Sequence, residues 1–117
     1  MAEKKVLHLV LEKKWFKKIV SGEKTGEYRE IKPYWASRLV KQKAESGEVL
    51  FDEFGGYCRV LGNPEYKPFT HVLLYAGYAK DRQVVEKKIE SISIGKPQKG
   101  MCPEEWLNKD VFIIKFK

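Results

Sequence analysis

The chain changes structural period at residues 21–22, and that change limits what can be built on either side of it. Before it, residues 13–20 read KKWFKKIV, which puts Trp15, Phe16, Ile19 and Val20 on one side of a helix and the lysines on the other. Ser21-Gly22 is a natural helix stop. Beyond it, residues 25–30 can run extended, with Thr25, Glu27 and Arg29 on one face and Gly26, Tyr28 and Glu30 on the other. Five of the ten residues from 21 to 30 are charged, and Tyr28 is the one sizeable apolar side chain among them. A solvated surface strand more usually alternates polar with apolar residues, so this stretch commits its polar groups to something other than the core.

The rest of the pattern supplies strands. At 117 residues the chain reads as one domain, residues 1–117, with room for one core. Residues 6–11 form a first strand, apolar enough to be buried on both sides, with His8 an inner, partly satisfied histidine. Pro33 suits the first turn of a second helix, predicted over residues 34–45 with Trp35, Ala36, Leu39 and Val40 inward. Residues 48–61 read as a hairpin around Gly55-Gly56, residues 62–68 as a loop, and residues 69–76 as a strand stopped by Gly77. Residues 84–94 form a long strand whose apolar phase changes between Ile89 and Ile92, which a β-bulge near Glu90-Ser91 reconciles. A loop over residues 95–108, with one helical turn at 104–107, leads to a last strand at 111–116. The order predicts an α+β fold, a small mixed barrel in which the first, second and last strands are neighbours and the two early helices cover the openings.

Lys and Arg number 23 against 16 Asp and Glu, a formal net charge of +7. An excess of that size suits a polyanionic partner such as nucleic acid, although solubility alone is the plainer reading. Cys58 and Cys102 are isolated, and with His8 and His71 they offer no metal-ligand spacing, so neither metal nor cofactor is expected. No signal-peptide pattern or membrane-spanning run is present, which points to a cytoplasmic protein with reduced thiols and no membrane partner.

The run from Trp15 to Arg29, WFKKIVSGEKTGEYR, resembles the signature of the ASCH domain, a small β-barrel domain related to the PUA fold. In that family a helix ends in a G-x-K-T-x-E-x-R motif that opens the second strand, and Gly22, Lys24, Thr25, Glu27 and Arg29 match it. The Gly77-Tyr78 strand end, the long strand ending at Gly95 and the C-terminal strand extend the resemblance over nearly the whole chain. The resemblance implies a PUA-like barrel that binds RNA or a modified nucleotide in a groove beside the first helix and second strand. It also implies an alternative, since some small ASCH proteins are amidohydrolases of acetylated cytidine that use the motif lysine, a hydroxyl residue and a glutamate. Lys24 matches that set, the hydroxyl position three residues on is Glu27, and the late-loop acid is Glu104 or Glu105. Related sequences often carry an Asn before the Gly-Tyr and a Trp-Gly in the late loop, where this chain has Ala76 and Lys99-Gly100.

By chemistry alone, Lys24, Thr25, Glu27 and Arg29 are the sharpest constellation. A lysine beside a glutamate is either an exposed ion pair worth about 0.2–1 kcal/mol or part of a reactive set. In the second case Lys24 acts as base on Thr25 or a water, and Glu27 holds or protonates the other end, with Thr25 and Glu104 the weaker members. Arg29 offers a planar fork to a phosphate or carboxylate. For an unstacked base, Tyr28, Tyr34 and Tyr78 are stacking candidates, Lys24, Arg29, Arg82 and Lys99 are phosphate contacts, and Thr25 and Glu27 belong to the same groove. Binding of RNA or a modified nucleotide therefore ranks first. Hydrolysis of an acetylated nucleoside such as N4-acetylcytidine ranks second, and a partner-binding module without nucleic acid third.

Overall fold

Leu7, Leu9 and Leu11 alternate with His8 and Val10, and that alternation sets the first pairing. The computed structural model describes residues 3–41, 47–51, 58–62 and 65–117. Its elements are β1 (Val6–Leu11), α1 (Lys13–Val20), β2 (Gly26–Glu30), α2 (Pro33–Leu39), β3 (Gly47–Phe51), β4 (Cys58–Gly62), β5 (His71–Ala76), β6 (Val84–Gly95) and β7 (Val111–Phe116). β1 runs parallel to β5, so Leu7 lies beside Val72, Leu9 beside Leu74 and Leu11 beside Ala76. All six are buried. The other ladders of the main sheet are antiparallel, and the strand order is β1-β5-β6-β7-β2. Phe16 and Ile19 of α1 and Ala36 and Leu39 of α2 join Phe112, Ile114 and Phe116 of β7 in the same apolar cluster. The fold is thus α+β, with a five-stranded mixed sheet and two helices.

β6 holds the sheet together by serving two neighbours. Val84 to Lys88 pair with β5, and Ile89 to Gly95 pair with β7, with a register shift between Ile89 and Ser91. The bulge expected near Glu90-Ser91 is therefore present, and it turns the strand from one partner to the other. β7 is covered on both faces, since Val111 belongs to a second cluster with Tyr28, Met101 and Cys102. That cluster seats the late loop, including a one-turn 3-10 helix at Glu104–Trp106, against β2 and β7. At the end of β2, burial works to raise the Glu30 carboxyl, but hydrogen bonds from Lys109 and Lys32 hold it below its ordinary value.

Four expectations need correction. β2 and β7 are neighbours as expected, but β1 pairs with β5, so that among the described residues β1 and β2 are the sheet's two edges. His8 faces outward, its ring stacked on Tyr75 and its Nδ1 at 2.8 Å from the Tyr75 hydroxyl, because β1 buries only its leucine face. Val20, at the last turn of α1, is exposed. α2 stops at Leu39 because Val40 is extended (φ −106°, ψ 137°) and bridges Tyr66. Pairing of a buried β-branched residue outweighs the helical pattern there. Residues 42–46 of the expected helix and the Gly55-Gly56 turn lie outside the described residues; β3 and β4 pair antiparallel as the hairpin requires. Among the described residues no helix is long and apolar enough to cross a membrane.

One glycine makes the β2–β7 ladder possible. A Cβ on Gly26 would stand 2.9 Å from the carbonyl oxygen of Ile114, a backbone atom that cannot swing away. Gly26→Ala should lower unfolding free energy by about 1–3 kcal/mol in urea denaturation. Gly95→Ala, which meets only Ile113 Cδ1 at 3.4 Å, should cost clearly less.

Candidate functional site

The turn after α1 aims Lys24 inward. Ser21 N donates to Lys17 O, Gly22 N to Ile19 O and Lys24 N to Lys18 O, at 3.0, 3.1 and 2.9 Å. Gly22 takes φ +86°, which closes the helix and reverses the chain. Lys24 is left 3% exposed, and Glu27, one residue into β2, is 5% exposed.

The two meet at 2.8 Å, Lys24 Nζ donating to Glu27 Oε1, which also accepts from the Tyr28 backbone N–H at 3.0 Å. Arg29 completes the group: its guanidinium donates to Glu27 Oε2 at 3.1 Å and to the Val10 carbonyl of β1 at 2.9 Å. One arginine side chain therefore spans the two edge strands. Two cations share one carboxylate, so the cluster carries one excess positive charge. Lys24 Nζ also lies 4.8 Å from the Trp15 ring centroid and 5.2 Å from that of Tyr28, and Arg29 lies 4.9 Å over Trp35.

This cluster lies in a pocket of about 350 Å³. Trp15, Tyr28 and Trp106 give it aromatic walls, Cys102 and Pro103 come from the late loop, and Gly77 and Tyr78 form its rim. The late loop is fastened by Lys18 Nζ to Gly100 O at 2.8 Å and by Gln98 N to the Tyr28 hydroxyl at 3.2 Å. Burial pushes the Cys102 thiol up; Lys24 lowers it and Glu105 raises it by smaller amounts. A thiol held above its ordinary range is a weak nucleophile at neutral pH.

The structure divides the residues singled out from the sequence. Lys24, Glu27, Tyr28, Arg29 and Tyr78 line this pocket, and Tyr78 is 85% exposed. Tyr28 is buried, and its hydroxyl accepts from Gln98, so it is a wall with a fixed edge and not an open platform. Thr25 is exposed and does not line the pocket, nor do Lys99, Glu104 or Glu105. Arg82 stands over Tyr75 at 4.2 Å and lines a separate depression, and Tyr34 packs edge-on against Trp35. Trp15, read from its helical spacing as core, packs against the main apolar cluster and also lines the pocket. Trp106 went unnoticed; its only signal was an aromatic in the polar loop segment CPEEW. It brings a tryptophan to the pocket although Lys99-Gly100 lacks one.

No protein-family model, curated protein or solved structure matches the chain. The buried cluster itself makes a stability prediction. Glu27→Gln leaves the buried Lys24 and the partly buried Arg29 without their carboxylate and should cost about 3–5 kcal/mol in denaturant unfolding. Adding Lys24→Met should give a double variant that loses less than the sum of the single losses. Strict additivity would mean that the two side chains do not depend on each other.

Proposed function

We propose that this chain binds RNA or a modified nucleotide by taking one unstacked base into the pocket between β1 and β2. The carrying observation is a floor of buried Lys24 and Glu27 with partly buried Arg29, in a pocket walled by tryptophans. Buried ion pairs are commonly no more stabilising than well-packed apolar side chains, so packing alone does not explain three charged groups in this position. Stacking on aromatic faces with a polar edge at the bottom is how unstacked bases are held. Because Lys24 and Arg29 are engaged with Glu27, their role is with the base edge and not with phosphate.

The same proposal includes the ASCH resemblance and its PUA-like barrel. What supports it is the Arg29 bridge to Val10, a side-chain link between the two edges that a closed barrel would join. The hydrolase alternative retains the Lys24–Glu27 pair, which can hold and pass a proton. It loses its hydroxyl, since among the described residues no serine or threonine lines the pocket and Thr25 is exposed outside it.

Calorimetric titration with short single-stranded RNA and with the four ribonucleotides tests the proposal. Trp106→Ala should cost about 1–3 kcal/mol of binding, the value of one stacked base. N4-acetylcytidine should not be turned over. Turnover abolished by Lys24→Ala would make the chain an amidohydrolase, and absence of any nucleotide binding would favour a protein-partner module.

A further inference from the structure

A second depression of about 350 Å³ lies beside the first, lined by Lys13, Phe16, Lys17, Asp81 and Arg82 together with Ala76, Ala79 and Gln83. Three cations face one carboxylate there, an excess of two positive charges. Lys13, Lys17, Asp81 and Arg82 form no ion pair among the described residues. Arg82 is held in place: it stacks on Tyr75 at 4.2 Å and donates from one nitrogen to Gly77 O at 3.2 Å, leaving the rest of its fork unused. α1 begins at Lys13, and its N-cap residue Glu12 makes no side-chain cap bond and lies 3.9 Å from Lys14.

The two depressions share a wall. Glu12, Gly77 and Tyr78 line the first, and their chain neighbours Lys13, Ala76 and Ala79 line the second. The two depressions therefore adjoin, and a nucleotide whose base enters the first can turn its phosphate toward the second. We propose that the second depression is a phosphate subsite for the nucleotide whose base enters the first pocket. The ligand is then a phosphorylated nucleotide or a strand, and a bare nucleoside uses only half the site. The subsite rests on the base-binding function proposed above.

The test uses a labelled single-stranded RNA hexamer of mixed sequence and the full chain, with affinity followed as salt rises. Each lost phosphate contact should reduce the log–log salt slope by about 0.7. Lys13→Ala combined with Lys17→Ala should therefore flatten the slope, and alanine is a good helix former at both exposed sites. Lys88→Ala combined with Lys117→Ala removes the same charge at the opposite end of the sheet and should leave the slope unchanged. A nucleoside monophosphate should outcompete its nucleoside on the native chain, and lose that advantage on the Lys13/Lys17 double variant. If a strand is required, the monophosphate competes poorly while the hexamer slope still responds. Equal flattening by both lysine pairs, or none by either, overturns the subsite. In that event, weakening by Trp106→Ala shows that the base pocket stands alone. Failure of the hexamer and of all nucleotides to bind overturns both.

Discussion

The carboxylate of Glu27 is the point on which the arrangement of the pocket depends. It accepts from Lys24, from Arg29 and from the backbone of Tyr28. Through those bonds it joins the turn after α1, the strand β2 and, by way of Arg29, the carbonyl of Val10 on β1. Removing charges from water costs several kcal/mol per ion, and that cost is offset only where partners are close and numerous. Here the partners come from three different parts of the chain. Their positions are therefore fixed together, and an error in any one leaves a buried charge unpaired.

The sheet order explains why this happens at one place. Among the described residues β1 and β2 are the edges of the sheet, so their outer polar backbone groups are not used by a fifth ladder. Side chains and the late loop occupy that side instead. Lys18 ties the loop to α1 through Gly100, and Tyr28 ties it to β2 through Gln98, which brings Trp106 to the pocket that Trp15 also lines. The floor is polar, the walls are aromatic, and the neighbouring depression beyond Gly77 is cationic. That sequence of environments is the physical basis of the proposed base and phosphate sites.

Much of the fold could be read from the residues because local signals agreed with tertiary ones. The helix stop at Ser21-Gly22, the bulge near Glu90-Ser91 and the last strand follow from glycine conformation and apolar phase, which act over short distances. The errors arose where a distant partner decided. Val40 is extended because Tyr66 is there to receive it, and His8 faces outward because the apolar cluster with the two helices covers only the leucine face of β1. For the site, the short spacing of Lys24, Glu27 and Arg29 was informative, since a turn followed by a strand brings such residues together. Thr25 lies outside the pocket because it precedes β2 and follows no strand alternation. Trp106 could not be placed, because the loop that carries it is positioned by contacts from Lys18 and Tyr28, residues 82 and 70 positions away from their partners.

The three tryptophans provide a direct readout. Trp15 and Trp106 line the pocket, whereas Trp35 lies behind Arg29 and does not. Nitrogen–proton correlation spectra of the indole groups, recorded while single-stranded RNA is added, test whether a base enters between the first two. A base in the pocket predicts large shifts for Trp15 and Trp106 and a small one for Trp35. Unmoved Trp15 and Trp106 signals at saturating RNA would contradict it.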